Sequence, residues 1–565
     1  MRLPALAIAA LLLDASFPVL RAQEAPPRPI KNTSGGELLP EEACYDVLHY
    51  ALELEVDPQA RQISGQLRMD AALLAASPAL VFDLDETLAI ASVELDGQPV
   101  AHTREPEQRV RVPLAALTTG ARFALTVRYG GQPRRAPNPP WVGGFTWKTT
   151  GDGRPFIATS CQGEGADLWW PCKDHPSDKP DSMDIAVTVP AGLFCASNGR
   201  LVADEPARDG WVRQRWHVST PISNYAVALN IAPYVHLSSE LVRPGGDPLP
   251  VDFWVLPENE AAGRRFLPQI VEHLAFFERT CGPYPFRADK YGVVETPHLG
   301  MEHQTIIAYG NAYAGDENFD YDWLHHHELA HEWWGNLVTA RDWNDFWIHE
   351  GIGTYMQALF LEEKFGREAY FRKMRLDRGP IMNRGAVAPR GPRDTHWMYF
   401  ASRDSGSPGG DIYYKGSWVC HSLRWLLGDE DMARVLRRWA YPDPALEASQ
   451  DGSACRLATT DELLAIAEAV TGRELGWFFE VYLRQPALPE LLAEAADGSL
   501  RLSWKLPGEL PFPMPVPVRV GDELRRIEVP AEGAEIDLGG QDHQVDPEGW
   551  LLRLIPKAPR KRRGE

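Results

Sequence analysis

The chain has 565 residues, of which 44% are hydrophobic and 24% are charged, and its formal net charge is −21 at pH 7. This length and apolar fraction support about three or four folded domains, and they exclude a disordered or fibrous chain. The excess of 78 acidic over 57 basic side chains argues against a nucleic-acid partner, because phosphate binding needs clustered lysine and arginine.

Residues 1–22 have the pattern of a secretory signal peptide. Arg2 supplies a positive charge, the run from Leu3 to Leu13 is apolar, and the small residue Ala22 precedes a proline-rich stretch. The apolar run is about half of the ~20 residues that a membrane-spanning helix needs. We therefore expect a cleaved signal and an exported protein, periplasmic or extracellular, with no stable membrane span.

The seven cysteines are an odd number and too few for a disulfide scaffold at this length. Cys161 and Cys172 can form a bridge if the compartment is oxidising, which the sequence does not decide.

An alternating pattern from Tyr45 onward predicts an N-terminal β-domain over residues 23–235. Leu52, Leu54 and Val56 fall on one face of an extended segment, with a glutamate between each pair. Similar runs recur as far as residue 218, and glycine, proline and asparagine clusters separate them.

Helical periodicity then predicts a mainly helical domain over residues 236–486. Its helices are predicted at about 264–279, 322–336, 346–365, 416–428, 461–471 and 474–484. The glycine- and proline-rich segment 383–410 between them is predicted to be a long surface loop. Short strands predict a small C-terminal β-domain over residues 487–556, and the basic tail 557–565 is predicted to be disordered. The fold class is therefore multidomain α+β.

The sequence His327-Glu328-Leu329-Ala330-His331 has the spacing of a zinc site. Residues four apart on a helix share one face, so both imidazoles can converge on one metal while Glu328 faces the same cleft. Imidazole nitrogens in tetrahedral geometry suit Zn²⁺, and a catalytic site keeps one position open for water.

Glu350 is the candidate third ligand, with eighteen residues between it and His331. It would open the next helix, which can pack beside the first. A third ligand closer to His331 is excluded, because Trp334 and Leu337 occupy the Gly and His positions of the longer motif HExxHxxGxxH. Two histidine ligands and one glutamate ligand, which would bind one zinc ion per chain, are typical of a hydrolytic zinc site.

HExxH followed by eighteen residues and Glu resembles the aminopeptidase N and leukotriene hydrolase family of zinc metallopeptidases, which are gluzincins. The stretch Leu299-Gly300-Met301-Glu302-His303 resembles the exopeptidase motif Gly-Ala-Met-Glu-Asn of the family, with His303 in the place of Asn. His349 likewise stands before the third ligand where Asn is common.

Further segments carry the same resemblance over roughly residues 40–490. They are 331–338 after the second ligand, Cys161-Gln162-Gly163-Glu164, Trp170 to Asp174, Tyr413-Tyr414-Lys415-Gly416, and Glu474 to Pro489. Only 75 residues follow Glu490, so the resemblance implies a short member without the large C-terminal helical domain of many relatives.

The resemblance implies a thermolysin-like catalytic domain and a zinc-dependent aminopeptidase acting on peptides with a free N-terminus. Glu328 would be the general base, and Tyr413 would donate a hydrogen bond to the oxyanion. The implied substrate-binding residues are Glu302 and Glu164 at the α-ammonium, Gln162 and Gly300 along the backbone, and Met301 as a pocket wall.

Two alternatives remain open. One is an epoxide hydrolase or bifunctional member of the family, and the other is a catalytically inactive binding module on the same fold. The intact set His327, His331, Glu350, Glu328 and Tyr413 argues against an inactive scaffold. The sequence leaves the preferred N-terminal side chain and the oligomeric state open.

Overall fold

The computed structural model describes residues 34–114, 117–243, 246–400, 405–506, 508 and 510–555. The predicted signal peptide and the predicted basic tail lie outside the described residues.

The N-terminal part of the chain is built from β-strands, after one short helix, α1 (Pro40–Ala43). The strands are β1 (Tyr45–Asp57), β2 (Gln62–Leu73), β3 (Ala79–Asp83), β4 (Leu88–Leu95), β5 (Gln98–Pro99), β6 (Thr103–Arg104), β7 (Arg109–Pro113), β8 (Arg122–Gly131), β9 (Gly144–Thr149), β10 (Pro155–Ser160), β11 (Ser182–Pro190), β12 (Phe194–Ser197), β13 (Arg200–Arg208), β14 (Trp211–Val218) and β15 (Leu229–Ala232).

These strands form three sheets. The largest has the order β13-β14-β11-β1-β2-β8-β4-β5, and smaller sheets have the orders β12-β15-β10-β9 and β3-β7-β6. In β1, Leu52, Leu54 and Val56 are buried while Glu53 is exposed, which confirms the predicted alternation. A β-strand turns successive side chains to opposite faces, so this pattern buries one face of the sheet.

A fourth sheet, of mixed parallel and antiparallel strands, begins at residue 235 and positions the strand that leads into the candidate site. Its strands are β16 (Val235–Leu241), β17 (Leu249–Val255), β18 (Tyr291–Glu295), β19 (Gly300–Met301) and β20 (Ile307–Tyr309). Their order is β16-β17-β18-β20-β19, so β19 lies at an edge.

Helices dominate the chain after residue 260. They are α2 (Glu260–Cys281), α3 (Trp323–Ala330), α4 (Trp347–Phe365), α5 (Arg367–Arg378), α6 (Asp411–Leu427), α7 (Asp429–Ala440), α8 (Thr460–Thr471) and α9 (Gly476–Phe479). Two short strands, β21 (Val338–Ala340) and β22 (Arg456–Ala458), pair in parallel between them.

Three sequence predictions in this region need correction. The helix predicted at 322–336 ends at Ala330, because Trp334 and Gly335 have non-helical dihedrals, with φ 150° at Gly335. The helix predicted from residue 416 begins at Asp411. The segment 383–410 is only partly a surface loop, because Val387, Ala388 and Met398 are fully buried.

The C-terminal strands pack on the helices. They are β23 (Glu490–Ala496), β24 (Ser499–Lys505), β25 (Val516–Val520), β26 (Glu523–Ile527), β27 (Ala534–Asp537) and β28 (His543–Val545), in two three-stranded sheets. Their buried side chains belong to one apolar cluster with the helices, and a second cluster fills the N-terminal β region. The expected multidomain α+β arrangement is confirmed, whereas the boundaries near residues 235 and 486 remain predictions.

All seven cysteines are free thiols, so Cys161 and Cys172 are not bridged in this structure. Among the described helices, none is both long and apolar enough to cross a membrane.

Candidate active site

Helices α3 and α4 bring His327, His331 and Glu350 together. His327 lies in the last turn of α3, His331 caps that helix, and Glu350 lies in the first turn of α4. The side chain of Asp322 accepts a hydrogen bond from the backbone N–H of His325 and so caps the start of α3. The two histidines therefore share one helix face, and that face meets the beginning of the next long helix.

The three side chains present a triangle of donor atoms. The two histidine Nε2 atoms are 3.3 Å apart, and Glu350 Oε2 lies 3.3 Å from His327 Nε2 and 3.5 Å from His331 Nε2. Ligand atoms bound tetrahedrally at Zn–N distances of about 2.05 Å stand about 3.3 Å apart. Glu350 Oε2 is buried without a hydrogen-bond partner among the described residues. The donor set therefore fits a zinc ion.

The protonation state of the histidines also suits a metal. Burial is the main cause that lowers the pKa of His327 and of His331 to about 4, so both rings are neutral at pH 7. His331 Nδ1 lies 2.9 Å from the carbonyl oxygen of Trp334, to which it donates. This hydrogen bond selects the tautomer that leaves the Nε2 lone pair free.

Glu328 lies beside this triangle. Its side chain is buried, and burial raises its pKa, with further increases from the nearby carboxylates Glu302 and Glu350. Carboxylate oxygens of Glu302 and Glu328 and a ring nitrogen of His331 all lie within 4.8 Å of one another. A Cβ at Gly300 would collide with the Glu328 carboxylate, so the glycine is what allows this acid to approach β19 closely.

Glu302 directly follows β19. It is 3% exposed, and its Oε1 accepts a hydrogen bond from the side-chain amide of Gln162. Asn336 Nδ2 donates to the Glu302 backbone oxygen at 3.1 Å and holds this part of the chain. Burial first, and then the charge of Glu350, raise the pKa of Glu302 to about 8.

Tyr413 reaches the site from the first turn of α6. Its ring is stacked near the His327 ring, with centroids 6.1 Å apart. Burial and the charge of Glu350 raise its pKa well above the usual value, so it remains a hydroxyl donor. Helices α4 and α6 approach closely here, because Gly351 and Gly416 face each other without side chains.

Comparisons with known proteins agree with this geometry. A model described as the Peptidase M1 N-terminal domain matches residues 46–226, and one described as the Peptidase family M1 domain matches residues 284–441. Together these matches span more than half of the chain.

The chain belongs to the M1 peptidase family.

The similar proteins are named aminopeptidases, and the similar solved structures are named M1 zinc metallopeptidases. Aminopeptidase 2, mitochondrial, from Saccharomyces cerevisiae is 26% identical over 58% of this chain and 35% of its own length. Probable aminopeptidase 1 from Saccharolobus solfataricus is 23% identical over 68% of this chain and 49% of its own length. The chain thus spans only about a third to a half of these two relatives.

An M1 zinc metallopeptidase from Deinococcus radiodurans has a similar fold. Its crystal structure has a TM-score of 0.63 and 23% identity, and the match covers 79% of this chain and 94% of the other. A mutant of that protein has also been solved bound to a Tyr-Ser-Ala substrate, with a TM-score of 0.62, 23% identity and a match over 79% of this chain and 95% of the other.

Glu164 has a different environment from Glu302 in this member of the M1 family. Its Oε1 accepts from Arg134 Nη2 at 2.7 Å, and its Oε2 accepts from the backbone N–H of Gly143 at 2.7 Å. Both of its carboxylate oxygens therefore already have donors. The structure brings Gln162 into contact with Glu302, and it joins Glu164 to the segment around Arg134. A substrate role for Glu164 stays a prediction.

The two histidines in place of the family's asparagines, His303 and His349, are both fully buried. His349 Nε2 accepts a hydrogen bond from the backbone N–H of Ala340 at 2.9 Å, which ties α4 to β21. His303 has no ring hydrogen bond among the described residues. Met301 is a buried apolar side chain of the N-terminal core cluster, and its role as a pocket wall stays a prediction.

Sequence reasoning missed Trp334 and Asn336. Asn336 hydrogen-bonds the chain at Glu302, and its place in the segment 331–338 was the available signal. Trp334 accepts the His331 hydrogen bond through its backbone carbonyl oxygen. Every residue has this group, so the sequence contains no signal for the contact.

Proposed function

We propose that this chain is a zinc-dependent aminopeptidase, which removes N-terminal residues from peptides by hydrolysis. The observation that carries the proposal is the His327, His331 and Glu350 triangle with two further buried carboxylates, Glu328 and Glu302, within 4.8 Å of a ring nitrogen of His331. The names of the relatives support the same activity.

A bound zinc ion would polarise the scissile carbonyl and lower the pKa of water to about 7. Glu328 accepts the proton of the attacking water on its carboxylate and passes it to the leaving amine. Its position against Gly300 puts this acid next to a peptide that lies along β19. The Tyr413 hydroxyl donates a hydrogen bond to the oxyanion that develops on the carbonyl.

The buried carboxylate of Glu302 binds the α-ammonium of the substrate. A charge-assisted hydrogen bond at this site compensates for burying the acid, and Gln162 orients the carboxylate. Strand β19 is at the edge of its sheet, so an extended peptide can pair with it. An ammonium held at Glu302 places the first peptide bond beside Glu328, which makes the enzyme an exopeptidase.

The test combines metal content with a minimal substrate. We expect one zinc per chain and hydrolysis of alanyl p-nitroanilide, with no hydrolysis of its N-acetyl form. Absence of turnover with full zinc content would favour the inactive binding module. Epoxide hydrolysis without anilide hydrolysis would favour the other alternative. Efficient cleavage of blocked peptides at internal bonds would contradict the exopeptidase assignment.

We also propose that the protein is exported, periplasmic or extracellular. The support is the charged, apolar and small-residue pattern over residues 1–22. Mass spectrometry of the mature N-terminus after cell fractionation tests this. A cytoplasmic product that retains residues 1–22 would contradict it.

A further inference from the structure

A cavity of about 480 Å³ lies beside the strand that carries Gly300. One wall comes from the N-terminal β region, in segments 135–139 and 146–148. The other wall includes Pro297, His298 and Leu299, which directly precede β19. The cavity therefore opens next to the strand along which we place the substrate.

The cavity is positively charged. Arg135 and Lys148 line it, and no acidic side chain is among the described residues that do. Arg135 is exposed and makes no ion pair within the described part of the chain. Lys148 Nζ donates to the carbonyl oxygen of Pro297 at 2.7 Å, and its other two N–H groups make no hydrogen bond to a described residue.

Two buried polar side chains in the cavity wall have polar atoms without a hydrogen-bond partner among the described residues. Thr146 is 6% exposed and His298 is 5% exposed. The hydroxyl of Thr146 and both ring nitrogens of His298 make no hydrogen bond in the described structure. Buried polar atoms nearly always have a partner, so these groups indicate a place where a polar ligand completes the wall.

The position of the cavity relative to β19 indicates on which side of the scissile bond the cavity lies. Glu302 marks the substrate's N-terminus, and Glu328, against Gly300, marks the bond that is cut. His298 lies two residues before Gly300, in the bend 297–299 that leads into β19. Two residues of chain span at most about 7 Å, so the cavity lies within about two residues of the scissile bond, on the leaving-group side.

We propose that this cavity binds a carboxylate of the substrate about two residues after the cleaved bond. Arg135 and Lys148 supply the charge, and Thr146 and His298 supply hydrogen bonds. The carboxylate comes either from the free C-terminus of a tripeptide or from an acidic side chain in a longer peptide. The inference rests on the proposed aminopeptidase function, because that function sets the direction of the peptide.

Binding to the Glu328→Ala protein, which leaves the peptide uncut, tests the cavity apart from turnover. Calorimetry would compare Ala-Ala-Ala with Ala-Ala-Ala-amide, and Ala-Ala-Asp-Ala-amide with Ala-Ala-Asn-Ala-amide. A single charge-assisted contact at a partly exposed site predicts about three- to tenfold tighter binding of the charged member. A preference in the first pair assigns the C-terminus, and one in the second pair assigns the side chain.

Variants of the wall test its residues. Arg135→Gln and Lys148→Met, each combined with Glu328→Ala, should abolish most of the preference. Arg122→Gln is the matched control, because Arg122 is also exposed and without an ion pair among the described residues but does not line the cavity. On the otherwise native chain, Arg135→Gln and Arg122→Gln should hydrolyse alanyl p-nitroanilide normally, because that substrate carries no carboxylate.

Equal binding within both peptide pairs would overturn the proposal, as would undetectable binding of all four peptides or a preference that survives both wall variants. Failure of the anilide assay on the native chain would instead contradict the proposed aminopeptidase function. The two failures are therefore distinguishable.

Discussion

Gly351 on α4 contacts Gly416 on α6, so we expect one added methyl group at this contact to lower the catalytic rate strongly. A Cβ at residue 416 would lie 2.8 Å from the Gly351 Cα and 3.5 Å from the Trp347 Cβ. Carbon atoms pack best at about 3.5–4.0 Å, so Gly416→Ala must move the helices apart by about 0.7 Å or more.

The stability cost of this change is small. Overpacking costs about 1–3 kcal/mol, whereas replacing glycine by alanine inside a helix recovers about 1 kcal/mol. The free energy of unfolding should therefore fall by only about 0–2 kcal/mol. The effect on catalysis is larger, because Tyr413 lies one turn before Gly416 and Glu350 lies next to Gly351. A misplacement of about 1 Å can cost about 10²-fold in rate.

We expect Gly416→Ala to lower kcat on alanyl p-nitroanilide by about 10- to 100-fold, with zinc content retained and KM little changed. The matched control is Gly410→Ala at the start of the same helix, where φ is −59° and a Cβ would meet no atom within 4 Å. Thermal unfolding of both variants separates misplacement from loss of fold. A native kcat in Gly416→Ala, or an equal loss in Gly410→Ala, would refute the reasoning.

Four further substitutions probe individual side chains. Glu328→Ala should keep its zinc, measured by metal analysis, and lose about 10²–10⁴-fold in kcat, since the ligands survive and the base does not. Tyr413→Phe should lower kcat by about 10²-fold with little change in KM, whereas Tyr414→Phe should not; the reverse result would show that the wrong tyrosine is assigned. Glu302→Gln should reduce kcat/KM strongly on free peptides and far less on N-acetylated ones, so equal losses on both would exclude an ammonium contact. Glu164→Gln should lower Tm, because Glu164 accepts from Arg134 and from the Gly143 N–H, and unchanged discrimination against acetylated substrates would contradict its predicted ammonium contact.

The zinc donors could be predicted because their arrangement is local. His327 and His331 are one helical turn apart, and any helix brings them to one face. Glu350 needs only the next helix to begin nearby, which the turn after residue 342 permits. The alternation in β1 is local in the same sense, since an extended chain turns Leu52 and Leu54 to one side whatever its partners are.

Features that depend on distant contacts could not be predicted in this way. The segment 383–410 has the composition of an exposed loop, yet Ala388 hydrogen-bonds the backbone at Leu483, and the side chain of Met398 is fully buried. The sequence pattern predicts the start of α6 at residue 416, later than Asp411, for a related reason. Asp411 accepts hydrogen bonds from the backbone N–H groups of Met382 and Asn383, so a contact across the fold stabilises the first turn.

Glu164 and Glu302 are both predicted to bind the substrate's α-ammonium, but their hydrogen-bond partners in the folded protein differ. Glu164 has an arginine and a backbone N–H as donors, and neighbours of Arg134 line the cavity of the further inference. Glu302 is 3% exposed and accepts a hydrogen bond from the uncharged amide of Gln162, and with no cation paired to it among the described residues its pKa is raised to about 8, mainly by burial. A buried carboxylate without a cation is costly, and a substrate ammonium removes that cost. We therefore expect Glu302 to favour substrates with a free N-terminus. The charge of Glu164, in contrast, holds the segment around Arg134, which leads into the cavity wall.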